Sequence, residues 1–191
     1  MMWTVMAVVA ALLIGHALPQ ISQWRNFSWF ERWLEFLQHL MLTKPFWQGG
    51  WGLLLCIALP GLAVGVLVHW LGGFFAFLVA LAAMLYTWGP RDLDLDVNAV
   101  IAAEGIEAKE AAAKALYEEG QAVSLDGSVV VAAVFENALT RWFAVLFWFL
   151  LLGPVGALLY RLVALASEGE SARSLPAENL AGTQSLHAVL N

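Results

Sequence analysis

The sequence predicts an all-α fold, a polytopic helical membrane protein with about four transmembrane helices and a small cytoplasmic helical insert. Three observations carry that prediction. The chain's 191 residues are 61% hydrophobic and 13% charged, against about 45–50% and about 25% in soluble domains. The 46 residues from Pro45 to Pro90 contain no Asp, Glu, Lys or Arg. Apolar positions in the more polar stretches recur at helical spacings, and no run alternates as a strand would.

The elements follow in order. Residues 1–18 are apolar enough for a first transmembrane helix. No Lys or Arg precedes Arg25, so the basic start of a cleavable signal is missing and a retained anchor is expected. Residues 24–42 form an amphipathic helix, with Phe27, Phe30, Leu34, Leu37 and Met41 on one face. Its Trp24, Trp29 and Trp33 suit the membrane interface, packing on the cytoplasmic helices is the other reading, and the sequence leaves both open. The uncharged run is too long for one crossing, so 51–88 reads as a transmembrane hairpin turned at "HWLGG", 69–73. Cys56 lies inside it as a small buried hydrophobe. Residues 91–141 hold ten of the fifteen acidic residues and form the helical insert. Residues 142–166 are the fourth transmembrane helix, which Gly153-Pro154 should kink or break near mid-membrane. The polar tail, 167–191, is expected to be irregular.

Basic residues set the orientation. Loops 19–50 and 91–141 hold seven Lys and Arg together, against Arg161 and Arg173 after the fourth span. That asymmetry places both larger loops in the cytoplasm and both chain ends outside, with Arg161 fitting worst.

"WGPRDLDLDV", 88–97, marks the exit from the membrane. Trp88 suits the interface, Gly89-Pro90 ends the span, and Arg91 anchors at the surface. Asp92, Asp94 and Asp96 then open a hydrated helix, where acids favour the positive N-terminal end. A calcium loop would need Gly sixth and Glu twelfth. Counting from Asp92 gives Val97 and Ala103, and from Asp94 gives Ala99 and Gly105. Leu93, Val97, Val100 and Ile101 share this helix's apolar face, and Gly105 ends it. A second helix covers 107–120, "SLDGS" (124–128) is a turn, and 129–142 leads into the fourth span.

Function classes narrow by exclusion. The net charge of −6 offers no basic surface for nucleic acid. No P-loop, GxGxxG, HExxH or GxSxG is present, and His16, His39, His69 and His187 form no metal-ligand pair. No catalytic residue, metal or cofactor is assigned. The candidate site is a polar cluster at the cytoplasmic membrane face, formed by Arg91, Asp92, Glu136, Asn137 and Arg141. The plain alternative is that Glu136, Asn137 and Arg141 make helix-surface contacts four and five residues apart.

"WGPRDLDLDVNAV" (88–100), followed by "VFENALTRWFAVLFWFLLLGPVGALLYRL" (134–162), resembles the AmpE family within the wider CobD/CbiB-like membrane proteins. The tract "FAVLFWFLLLGPVGALLYR" is similar to that family's "APLFW…GGPxGALxYR". The closing "SLHAVLN" (185–191) resembles the start of a later motif, so the chain looks like the N-terminal part of a longer protein. The resemblance implies a bacterial inner-membrane protein that modulates β-lactamase induction, without established catalysis. Its implied partners are the lipid bilayer and a protein of cell-wall recycling or β-lactamase signalling. The cobalamin branch of the same family implies instead ATP-dependent amide synthesis, and a membrane scaffold subunit is a third class. Two departures weigh against the synthase. "ENALTRW" puts Arg141 and Trp142 near the place of that branch's Asp-Gly, and "LVALASEGE" follows Arg161 in place of its "NTLD"-type residues.

Overall fold

The computed structural model describes residues 2–17, 25–41, 51–88, 93–117, 121–167, 172 and 175–191. The described residues are helical with no strand. Among the described residues nine α-helices follow one another: α1 Met2–Ala17, α2 Ser28–Met41, α3 Trp51–Leu71, α4 Gly73–Thr87, α5 Leu93–Ala102, α6 Ile106–Ala113, α7 Gly127–Ala138, α8 Ala144–Ser167 and α9 Ala177–Leu190.

α1 approaches the bundle through small residues. Ala7 and Ala11, one turn apart, are buried against Met84 of α4 and Val145 and Phe149 of α8. Its other faces expose Val5, Val9, Leu12 and Leu13.

α2 packs against apolar helices of the bundle. Asn26 Oδ1 accepts the Ser28 N–H at 2.8 Å and starts the helix. Phe30, Leu34 and Leu37 then pack on Cys56 and Ile57 of α3 and on Leu158 and Leu162 of α8. The indoles of Trp29 and Trp33 turn inward. Trp29 Nε1 donates to the Tyr86 hydroxyl at 2.7 Å. Trp33 Nε1 donates to the Cys56 carbonyl at 3.2 Å. That second bond has a cause in α3. Pro60 lies inside the helix and has no N–H to give the carbonyl four residues back, which is that of Cys56. Trp33 supplies the missing donor. Trp24 lies outside the described residues.

α3 and α4 form the expected hairpin. Gly72, at φ 56 and ψ 167, turns the chain in a region open essentially to glycine alone.

α8 departs from the single crossing expected over 142–166. Gly153 sits at φ 67 and ψ −153, inside an otherwise helical run. The Tyr160 hydroxyl donates to the Thr140 carbonyl at 3.2 Å, and Arg161 Nη2 to the Arg141 carbonyl at 3.2 Å. Twenty residues of straight helix would separate these groups by about 30 Å. The helix therefore breaks at Gly153, as its sequence allowed, and the chain reverses there. Residues 144–152 rise as one arm, and 154–167 return antiparallel as the second. Pro154 opens the second arm, where its lack of an N–H costs nothing. Gly156 lets the arms touch, since a Cβ there would overlap the Trp148 carbonyl oxygen. The stretch Gly127–Ser167, long and apolar enough by itself to cross a membrane, is thus folded in two.

The bundle has two distinct ends. Thr4, Val68, Gly73 and Pro154 meet at one, where both hairpins turn. Thr87, Arg141 and Arg161 meet at the other. α8 therefore ends on the same side as 88 and 141. The four-crossing count had required it to end on the opposite side.

The insert, α5 to α7, hangs beyond the second end. Leu93, Leu116, Ala133 and Ala138 form its core with Val97, Val100 and Trp142 around them. Ile101 is 72% exposed and lies off the face assigned to it. The helix expected over 107–120 is shorter, ending at Ala113 and passing into a 3₁₀ turn, Lys114–Leu116. Asp126 caps α7, its carboxylate accepting the Ser128 N–H at 2.8 Å. The tail is not irregular throughout. α9 packs along the second arm of α8, with Asn179, Thr183 and His187 buried. Thr183 Oγ1 donates to the Ala166 carbonyl at 3.3 Å, and Ser167 Oγ lies 3.2 Å from His187 Nδ1. Because the buried face of α9 is polar, apolar periodicity does not reveal the helix.

Candidate functional site

Between α7 and α8 the helix widens. Leu139–Phe143 form a π-helical turn, in which the Ala144 N–H reaches back five residues to the Leu139 carbonyl. π-bulges of this kind concentrate at functional positions. This one sits where insert and bundle join, and polar groups converge on it from both sides.

From the insert side, Arg141 Nη1 meets Asp96 Oδ2 at 2.9 Å. Its Nη2 donates to the Ala115 carbonyl at 3.1 Å. Asn137 Nδ2 donates at 2.8 Å to the carbonyls of Leu116 and Ala133. From the bundle side, Arg161 Nε donates to the Thr87 carbonyl at 2.8 Å, while its Nη2 holds the Arg141 carbonyl. The Tyr160 hydroxyl bridges the Thr140 carbonyl and Asn191 Oδ1, the latter at 2.6 Å. Asp96 and Arg161 are each only 4% exposed. Charges so far from water require close, hydrogen-bonded partners, and these bonds provide them.

The expected site residues fare differently. Asn137 and Arg141 are brought together at the wide turn. Glu136 is exposed, and its backbone carbonyl accepts the Thr140 hydroxyl at 3.2 Å. Arg141 pairs with Asp96, not with Glu136. Arg91 and Asp92 lie outside the described residues. Sequence reasoning placed Asp96 on a hydrated helix face, whereas it is buried in the ion pair. The signal was there, since Asp96 follows Leu93 by three residues and precedes Val100 by four, which puts it on the apolar face. Asp94, from the same triplet, is exposed. Arg161 and Tyr160 were missed as site residues because only the reversal at Gly153 brings them here, and Thr87 because it takes part through its backbone carbonyl.

Among the described residues no three His, Cys, Asp or Glu side chains lie together as a metal would require. A separate groove of about 740 Å³ runs between α3, α8 and α9, along Gly61, Gly65, Trp148, Val155 and Leu159. Its walls are almost wholly apolar and include none of the converging charges. The arrangement at the wide turn is suited to joining elements. The guanidinium of Arg141 holds a carboxylate and a carbonyl of the insert, and that of Arg161 holds carbonyls of α4 and the wide turn. No family model, no curated protein and no solved structure matches the chain.

Proposed function

We propose that the chain is an integral membrane protein of regulatory role, AmpE-like, modulating β-lactamase induction or cell-wall stress signalling from the bacterial inner membrane. One observation carries the reading furthest. The residues through which the sequence resembles that family are those with distinct structural tasks. Gly153 makes the reversal, Gly156 lets the arms touch, and Tyr160 and Arg161 close the base of the hairpin.

The membrane setting draws support from surface and charge. Around the end where the hairpins turn, Leu62, Val66, Trp70, Phe74, Phe75, Leu151 and Leu152 face outward. A belt of this extent on a water-exposed domain would be an aggregation liability, whereas it matches lipid. The described basic residues, Arg25, Arg32, Lys109, Lys114, Arg141 and Arg161, all lie at or beyond the other end. Under the positive-inside rule that end faces the cytoplasm. α3, with 21 residues, is about 31 Å long and matches the ~30 Å hydrocarbon layer. α1 and α4 are shorter, and the hairpin of α8 enters from the basic side and returns to it. Re-entrant backbone is tolerated at membrane depth when it is buried in protein.

The test is deletion of the gene in a bacterium carrying an inducible β-lactamase. Altered induction with cobalamin synthesis untouched is expected. Unchanged induction, or loss of cobalamin synthesis, would overturn the proposal. Saturable ATP–Mg²⁺ binding to the purified protein, measured by calorimetry, would point to the synthase branch instead.

A further inference from the structure

We infer that the wide turn Leu139–Phe143 is a mechanical coupler, which transmits a disturbance of the insert into the second arm of α8 and the reverse. The inference deepens the regulatory reading and rests on it for its biological meaning, while its physical content stands on the contacts alone.

Arg141 is held at two points by two different bodies. Its side chain belongs to the insert, through Asp96 and the Ala115 carbonyl. Its backbone carbonyl belongs to the bundle, through Arg161. One residue earlier, the Thr140 carbonyl is held by Tyr160, the neighbour of Arg161. Arg161 in turn grips α4 through the Thr87 carbonyl. Moving the Arg141 side chain therefore pulls on the carbonyls that close the hairpin. The wide turn supplies the second ingredient of a coupler, an alternative state. Such a turn carries one residue more than an α-helical turn, and its conversion to α-helix rotates everything beyond it by about 100°. α7 cannot rotate against α8 while Asp96 and Arg161 both keep their partners. The two contacts therefore favour one register together, and each strengthens the other.

Coupling between two sites is reciprocal, and that makes the inference testable from either end. The experiment is amide hydrogen exchange on the whole chain, reconstituted in phospholipid nanodiscs. Asp96→Asn keeps the side-chain shape and removes the charge that holds Arg141. Its expected effect is at least fivefold faster exchange in residues 154–161, on the bundle side of the wide turn. Arg161→Lys keeps a positive charge and removes the forked donor. It is expected to accelerate exchange in α5 by a similar factor. Tyr117→Phe removes only a bond within the insert, from the Tyr117 hydroxyl to the Ser124 carbonyl. It should leave 154–161 unchanged. The double variant should show less than the product of the two single effects. Acceleration confined to each variant's own element, or a fully multiplicative double variant, would overturn the coupler. Because the coupling runs both ways, Arg161→Lys decides the matter alone if Asp96→Asn does not fold. The readout makes no use of β-lactamase. A coupled protein without effect on induction would overturn the regulatory proposal and leave the coupler standing.

Discussion

The molecule contains two helical hairpins made from the same backbone device and finished differently. Gly72 (φ 56, ψ 167) and Gly153 (φ 67, ψ −153) occupy mirror-extended conformations that side chains exclude. Beyond the turn the resemblance stops. The α3–α4 hairpin contains no Asp, Glu, Lys or Arg, and the donors that reach its carbonyls come from other elements: Arg25, Trp33 and Arg161. The α8 hairpin closes at its base on Tyr160 and Arg161, which hold the carbonyls of Thr140 and Arg141. Through the same residues it is tied to the insert. One hairpin is a support, and the other is a connection. The difference lies at the base of each hairpin, seven to thirteen residues from the turn at Gly153 in α8.

The largest way to break this comparison is Gly156→Leu. The added side chain must overlap the Trp148 backbone oxygen, which cannot step aside. We expect the α8 hairpin to open and the folded protein to be lost, read as absence of a cooperative thermal transition in detergent. Gly65→Leu on α3 meets only the flexible Val155 side chain, at 3.4 Å, and should still fold. If both variants melt alike, close backbone contact is not what closes the second hairpin.

Next in size is Asp96→Ala, which leaves the Arg141 guanidinium without its carboxylate at a site that is 4% exposed on the Asp96 side. Loss of a buried partner costs about 3 kcal/mol, visible as a lowered unfolding midpoint. Glu136→Ala, at an exposed position one turn from Arg141, should change stability by less than about 0.5 kcal/mol. Equal effects would refute the pairing seen here. Smaller still is Trp33→Phe, which keeps the ring and removes the donor at the carbonyl that Pro60 leaves open. About 1 kcal/mol is expected, and the double change Trp33→Phe with Pro60→Ala should recover part of it.

The smallest effect concerns the insert alone. The Ser128 hydroxyl, with the Ser128 and Val129 N–H groups, holds the Asp126 carboxyl below its usual range. A depressed folded value means that the cap contributes fully above the unfolded value of about 3.9 and is lost as pH falls through the lower, folded one. Between pH 6 and pH 3 the native chain should lose more thermal stability than Asp126→Asn, which caps without titrating.

How much of this was legible follows from what kind of force decided each element. Where burial of apolar faces decided it, the sequence was explicit. Phe30, Leu34 and Leu37 announced α2, and "HWLGG" announced the first turn. Where a single backbone angle or a buried polar contact decided it, the sequence was silent or misleading. Gly153-Pro154 announced a kink or a break, but that the break is a reversal rests on Gly156 and on two hydrogen bonds spanning twenty residues of sequence. α9 buries Asn179, Thr183 and His187, so its inner face resembles an outer one. Of the candidate site, Asn137 and Arg141 were found through their polarity at a membrane boundary, but the carboxylate that Arg141 needs had been read as hydrated.

The reversal at Gly153 also changes a parity. A chain that crosses a bilayer an even number of times returns to the side on which it began, and one that crosses an odd number of times does not. Four crossings would leave the first residues of α1 and the residues of α9 in one compartment. In the proposed membrane setting, with 144–167 folded back on itself and α1, α3 and α4 taken as the crossings, those two segments face opposite compartments. One glycine angle thereby sets which side of the membrane every residue after it belongs to.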